Sequence, residues 1–207
     1  MTLYFVTMTS ERLKSFASII IAIAFILFVY GTYKAIQIVD KTQIGTKDGT
    51  YTSYVSSSKN IQDKAYSLTQ ECADDFCKVQ HLLDFASNIP YKTQTFQKNS
   101  PQKTIQKNYG DCDDKSNLLI SMLHALGIEA YFVLVPKHIF VIVALEDKRL
   151  SYTKGLWING KKYYTLESTA KGSTIGFPLQ YGLDKIEAIV EPFSNKKLDI
   201  THLEYKL

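Results

Sequence analysis

Three side chains of this 207-residue sequence could together run acyl-transfer chemistry: the thiol of Cys112, the imidazole of His138 and the carboxylate of Glu167. Cys112 stands in Asn108-Tyr109-Gly110-Asp111-Cys112-Asp113-Asp114-Lys115. Beyond it Leu118, Leu119, Met122, Leu123 and Leu126 recur at helical spacing, and Gly127 closes the segment. A thiol at or just before the first turn of that helix meets unpaired backbone N–H groups and the positive end of the helix dipole. Both favour the thiolate, which is the nucleophilic form. Asp111 and Asp113 push the other way, and a histidine able to share the proton would offset them. His138 opens a β-branched run directly after Pro136-Lys137, where a side chain can lean over the end of a neighbouring helix. Glu167 ends Tyr163-Tyr164-Thr165-Leu166, where a carboxylate could accept from the far nitrogen of His138 and fix its tautomer.

An acyl-transfer site also needs donors for a developing oxyanion. The backbone N–H of Cys112 is a natural one. The side-chain amide of Gln106, six residues upstream, and the hydroxyl of Tyr109 are candidates for a second; the alternative is that both are solvated loop residues. The other histidines carry less. His124 lies about three turns beyond Cys112 and cannot reach the thiol along a straight helix. His81 with Cys72 and Cys77 makes three ligands where structural zinc wants four. His202 sits in a polar tail, and Lys171-Gly172-Ser173 lacks a phosphate-binding context. No metal and no cofactor is expected.

The elements that must position these residues follow from periodicity. Helical patterns run from Ile61 to about Glu71 and again from near Asp74, with Val79, Leu82, Leu83 and Ala86 on one stripe, until Asn88-Ile89-Pro90 stops them. Lys92 to Lys107 reads as a polar loop. After the Cys112 helix come strand patterns at Ala130–Val135, His138–Leu145, Trp157–Ile158 and Tyr163–Glu167, with Asn159-Gly160 as a hairpin turn and Ile186–Val190 as a last strand. Helices first and strands afterwards predict an α+β domain with N-terminal helices on an antiparallel sheet.

The remaining sequence concerns location. Ser15 to Tyr33 carries no charge, and its nineteen residues make roughly 28 Å of helix, the thickness of a bilayer's hydrocarbon core. Arg12, Lys14 and Lys34 flank it, and Tyr30 and Tyr33 sit at interface depth. This predicts a short tail over 1–14, a transmembrane anchor over 15–34, a polar tether over 35–60 and a globular domain over 61–207. The alternatives are a cleaved signal peptide, disfavoured because Ala22-Ile23-Ala24 lies inside the apolar run, and a buried core helix, disfavoured because the run is apolar all round. Of three cysteines, Cys72 and Cys77 form a local pair and Cys112 stands alone. The pair reads as a disulfide, given a chain break at Ala73-Asp74-Asp75, or as two reduced half-buried thiols. A disulfide would place the domain in the periplasm or outside the cell, as a single-pass membrane protein. The net charge of +4 is mild and the lysines are scattered, so nucleic acid is not an expected partner.

Gly110-Asp111-Cys112-Asp113-Asp114 with the leucine-rich helix to Leu126-Gly127-Ile128 resembles the nucleophile segment of the transglutaminase-like superfamily. His138 followed by Ile-Phe-Val-Ile-Val, then Trp157, then Leu166-Glu167-Ser168-Thr169, resemble its histidine strand, its later tryptophan and its acid-x-Thr strand end. Cys77-Lys78-Val79 and Ile89-Pro90-Tyr91 are similar to the helical region before the nucleophile in bacterial members. The resemblance spans about residues 60 to 180. It implies a papain/transglutaminase-like fold with Cys112, His138 and Glu167 as the Cys-His-acid set, although the family usually carries Asp at the acid position. The implied function is a thiol hydrolase, a peptidase or amidase, acting on a peptide or protein substrate. The alternative is a catalytically weak domain serving as a binding or assembly module at the membrane.

Overall fold

The computed structural model describes residues 2–46, 49–93 and 98–207, and divides into two compact units, Met1–Lys41 and Thr42–Leu207. The first is a single helix, α1 (Thr2–Thr42). Its stretch Arg12–Ile36 is long and apolar enough to cross a membrane and is exposed on every side, although a signal sequence near an N-terminus has the same properties. The helix therefore runs past both ends of the predicted 15–34 span, taking in most of the predicted tail and the first part of the tether.

The second unit begins with a two-stranded antiparallel hairpin, β1 (Gln43–Thr46) and β2 (Gly49–Thr52). The hairpin lies within the span 35–60 read from the sequence as a polar tether. Ile44 and Tyr51 sit opposite each other in the register and are both buried in the domain core. Two isolated apolar residues make no sequence period; their burial comes from distant parts of the chain. Residues 47–48, also assigned to the tether, lie outside the described residues.

Helices α2 (Lys59–Thr69), α3 (Asp75–Asn88), α4 (Pro101–Lys107) and α5 (Cys112–Ala125) follow. The chain break between α2 and α3 lets Cys72 and Cys77 form a disulfide, with Cα atoms 5.4 Å apart. Helix α4 replaces the second half of the predicted polar loop. Its start is encoded by Ser100 as N-cap and Pro101 at the first turn, and its end by Asn108 in the left-handed conformation (φ 52°). Residues 94–97 of that loop lie outside the described residues.

Strands β3 (Ala130–Val135), β4 (His138–Val143), β5 (Gly155–Ile158), β6 (Lys161–Leu166), β7 (Ala188–Glu191), β8 (Lys196–Lys197) and β9 (Leu203–Lys206) form one sheet in the order β8-β7-β3-β4-β6-β5-β9, with antiparallel pairing throughout. The Asn159-Gly160 turn has positive φ at both residues, as the tight hairpin between β5 and β6 requires. Alternate residues feed two cores. Phe132, Leu134, Ile139, Val141 and Val143 pack with the helices, while Val133, Val135, Phe140 and Ile142 pack under the loop that carries Tyr181 and Leu183. Helix α5 lies on β3 and β4, with α2, α3 and α4 around it. That wrapping leaves Leu118 to Leu123 fully enclosed and fixes where the tip of α5 meets the sheet.

Candidate active site

The tip of α5 is built by its acidic flank. Asp111 is the N-cap: its Oδ1 accepts from the backbone N–H groups of Asp113 and Asp114, both at 3.1 Å. Asp114 is buried and accepts from the backbone N–H (2.7 Å) and side-chain amide (2.9 Å) of Asn99. Gly110 is required by contact rather than by turn geometry, since a Cβ there would come within 2.8 Å of the Asp114 Cβ. The same residue is threaded between Pro90 and Lys92, donating to the carbonyl of the first and accepting from the N–H of the second. Lys115, one turn into α5, is buried; its ammonium donates to the carbonyls of Ser87 (3.1 Å) and Ile89 (2.8 Å), tying α5 to the end of α3. Burial pulls its pKa down to about 8.

Cys112 is the first residue of α5, is partly buried, and is the free cysteine. Its thiol donates to Asp113 Oδ1 at 3.6 Å. Burial first, and then the charges of Asp113 and Asp111, push the thiol up to about 12, with Lys98 opposing. Of the two opposing influences expected at this helix terminus, burial and the acidic flank therefore act against the thiolate. The amides that could stabilise an anion there are already occupied by the Asp111 carboxylate, and two carboxylates outweigh a partial dipole charge. Lys98, from the segment before α4, bridges both acids: its Nζ is 2.8 Å from Asp111 Oδ2 and 2.7 Å from Asp113 Oδ2.

His138 and Glu167 meet at the end of the sheet. Val141 on β4 pairs with Leu166 on β6, so by continuation of the register the residue after Leu166 falls opposite Phe140, two residues along β4 from His138. His138 Nε2 lies 2.8 Å from Glu167 Oε2, while Glu167 Oε1 accepts from the backbone N–H (2.9 Å) and hydroxyl of Thr169. Burial raises the Glu167 carboxyl, but the hydrogen bonds from His138 and Thr169 outweigh it and hold the group below its ordinary value. The imidazole stacks with Tyr181 and Phe140, ring centroids 5.8 and 6.3 Å away.

Cys112 and His138 line one cavity of about 210 Å³, together with Thr46 and Tyr51 of the hairpin, Lys98, Asp113 and Lys137. With Nε2 engaged by Glu167, Nδ1 is the imidazole nitrogen left to exchange a proton within that cavity. Ser116 ties the two sides together: its hydroxyl donates to the Ile139 carbonyl (3.4 Å) and meets the Ser168 hydroxyl (3.2 Å), the neighbours in sequence of His138 and Glu167. Asn117 does the same for the hairpin. Its Oδ1 accepts from the Tyr51 hydroxyl (3.2 Å) and the Tyr54 N–H (2.7 Å), and its amide donates to the Asp113 carbonyl (2.8 Å).

Other candidates from the sequence lie elsewhere. Gln106 is exposed on α4, and Tyr109 is half-buried beneath the ammonium groups of Lys92 and Lys107; neither lines the cavity. Cys72, Cys77 and His81 bring three ligand atoms together, but the disulfide occupies both sulfurs. His124 stacks on Phe193, and His202 pairs with Glu204 at the surface. Lys98, Tyr51, Thr46, Ser116 and Asn117 were not picked out from the sequence. Of these, Ser116 and Asn117, about one turn along α5 from Cys112, carried a signal: two polar residues directly before a leucine run.

An antiparallel sheet with a buried helix laid across it, and a cysteine at that helix's tip beside a cavity that also holds a histidine, defines an α+β fold of the papain/transglutaminase-like class. Residues 62–145 match the family model of the transglutaminase-like superfamily, a span that includes Cys112 and His138 and ends before Glu167. The chain thus carries a transglutaminase-like domain. No curated protein matches the sequence. Among solved structures, similarity is found to a Cytophaga hutchinsonii protein provisionally described as a cysteine protease (20% identity, TM-score 0.44, covering 74% of this chain and 52% of that one). A Parabacteroides distasonis protein provisionally described as a protease is also similar (16%, TM-score 0.43, covering 68% and 27%). So is LapG of Legionella pneumophila (14%, TM-score 0.37, covering 59% and 78%). This chain therefore spans little more than half of the first of these proteins and far less of the second.

Proposed function

We propose that this domain is a thiol-dependent hydrolase of peptide or amide bonds, with Cys112 as nucleophile, His138 as general base and Glu167 as the group that orients the imidazole. The observation that carries this reading is the 2.8 Å His138–Glu167 pair, with His138 lining the same cavity as Cys112. In the proposed reaction the thiol proton passes to His138 Nδ1 as the sulfur attacks the substrate carbonyl carbon. The C–N bond then breaks, His138 returns the proton to the departing amine, and a thioester remains on Cys112. Water, deprotonated by the same nitrogen, releases the acid and restores the thiol. Glu167 stays ionised throughout and stabilises the imidazolium. The Cys112 backbone N–H is a candidate oxyanion donor; Gln106 and Tyr109 do not line the cavity, and the Tyr51 hydroxyl, which does, gives its proton to Asn117 Oδ1.

In this reading α1 is a retained single-pass anchor and the domain works outside the cytosol. Its exposed apolar surface and the Cys72–Cys77 disulfide support that placement. A second reading, a domain of weak turnover that binds rather than cleaves, is favoured by a specific observation: the thiol is bonded to a carboxylate and held protonated.

The test uses the full chain in detergent micelles with an unfolded protein and a pool of quenched peptides. The expected result is turnover that iodoacetamide stops and that Cys112→Ala lowers by at least about 10³-fold. Turnover surviving unchanged in Cys112→Ala removes the assignment. No turnover, with a cellular phenotype indifferent to Cys112→Ala but lost in the core variant Leu123→Asp, supports the binding module instead.

A further inference from the structure

Within this site the carboxylate bonded to the thiol has no role in the reaction just described. Asp113 is bonded at both carboxylate oxygens, to the Cys112 thiol through Oδ1 and to the Lys98 ammonium through Oδ2. We propose that Asp113 is a positioning residue that latches the nucleophile in its protonated form, and that Lys98 sets how strongly the latch holds. The proposal rests on Cys112 being the reactive thiol, and concerns when that thiol becomes available rather than what it cleaves.

The geometry gives the latch two arms of opposite sign. A carboxylate oxygen 3.6 Å from sulfur accepts the S–H proton and repels the thiolate that remains once the proton leaves. The ammonium on the other oxygen draws that charge away and is the nearest cation to the sulfur's acidic flank. Lys98 also holds Asp111, so one cation is shared by both acids that border Cys112. The partial burial of the thiol supports the same picture, since charges there are screened less than charges at an open surface.

The other groups around the sulfur complete the electrostatic account. Asp111 and Asp113 come from α5 and its cap, and Lys98 from the segment before α4. Tyr51 comes from β2, Tyr91 from the segment after α3, Lys137 and His138 from the β3–β4 connection and β4, and Tyr181 from the loop over the sheet. The tyrosines are raised by burial above their ordinary values and are neutral near pH 8. The charges that act there are therefore the carboxylates of Asp111 and Asp113, that of Glu167 behind the imidazole, the two lysines and, once protonated, His138. Release requires the S–H proton to pass to His138 while Asp113 remains ionised and bonded to Lys98.

Because Cys72 and Cys77 are bonded to each other, alkylation of the full chain reads Cys112 alone. The experiment follows iodoacetamide incorporation into the full chain in detergent micelles, from pH 7 to 10. In the wild-type chain the rate should climb about tenfold per pH unit without a plateau, as expected when little thiolate is present. Asp113→Asn should raise the rate at pH 7.5 by about tenfold or more and move the profile to lower pH. Lys98→Met should lower it by about tenfold, and Lys98→Arg should restore it. A fold-only role would lower reactivity or leave it unchanged in Asp113→Asn, and cannot produce opposite signs in the two variants. Asp113→Asn no faster than wild type, with circular dichroism unchanged, overturns the latch. If Asp113→Asn does not fold, the lysine pair decides: Lys98→Met as fast as wild type overturns it equally. Chains that show these signs but hydrolyse nothing would keep the latch and lose the hydrolase; chains that hydrolyse without these signs would do the reverse.

Discussion

On the sheet side of the cavity Glu167 accepts from His138 and twice from Thr169, so that the cost of burying a carboxylate is more than offset. On the helix side the burial of Cys112 is reinforced by Asp113 and Asp111 and only partly opposed by Lys98. The two halves use the same interactions, burial and charge-assisted hydrogen bonds, but one stabilises its charged form and the other its neutral form. On the proposed roles, a site arranged this way has its base oriented before substrate arrives, while its nucleophile must be released. The contrast makes a cheap set of measurements, because each half fails in its own direction.

The largest effect is expected from the prepared half. On the proposed roles, Glu167→Gln keeps the size of the side chain but presents an amide where His138 needs a carboxylate, and an imidazolium would form beside a neutral group. Turnover should fall by about 10³-fold with little change in KM. Glu167→Asp should fall less, because the charge survives and only a methylene of reach is lost. If Glu167→Gln turned over like the wild-type chain, the two halves would be no different in preparation and the comparison would break.

A smaller effect separates the halves by pH. The thiol's folded value of about 12 lies above its ordinary value near 9, so the folded chain keeps a proton that the unfolded chain releases. Stability contributed by the neutral thiol is whole below about pH 9 and falls as pH rises towards 12, by on the order of 1 kcal/mol at pH 10. Glu167 has the opposite sign. Its folded value is lowered, so its contribution is whole above the unfolded carboxyl value and is lost as pH falls through the folded one. Denaturation midpoints of wild type and Cys112→Ser, compared at pH 8, 9 and 10, should diverge, because the groups both chains share shift both midpoints alike and the thiol weakens the wild type further. Parallel midpoints would mean that the thiol is no more masked than the carboxylate.

The sequence made some of this legible and hid the rest, for physical reasons. The α5 helix and strands β3 to β6 are local patterns: leucines at helical spacing, β-branched alternation, and an Asn-Gly turn, each readable within about ten residues. Glu167 and His138 were legible as strand-end residues, and their pairing follows once the β4–β6 register is fixed. The β1–β2 hairpin was not, since its burial depends on Ile44 and Tyr51 meeting a core drawn from distant parts of the chain. Helix α4 is short, and its Ser100-Pro101 start signal was outweighed by the polar residues around it. The balance of charges at Cys112 was only partly legible, for a different reason. Asp111 was counted as a nearby charge, whereas its role as N-cap also consumes the amides on which the helix-dipole argument depends.

The smallest expected effect lies at the joint between the halves. Ser116 Oγ donates to the Ile139 carbonyl and meets Ser168 Oγ, and both serines are fully buried. Ser116→Ala removes one hydroxyl from a buried pair and leaves Ser168 without that partner, at a stability cost of about 1 kcal/mol. The variant leaves Asp111, Asp113 and Lys98 in place, so the pH profile of Cys112 alkylation should stay as in the wild-type chain. It also leaves Thr169 and Glu167 in place, so the His138–Glu167 pair keeps its own geometry. What changes is the registration of α5 against β4, and turnover should fall by about tenfold through kcat. Two halves that each behave normally and yet cooperate poorly are the signature of a lost joint. If alkylation shifted together with turnover, Ser116 would belong to the thiol half, and the boundary drawn here through the cavity would have to move.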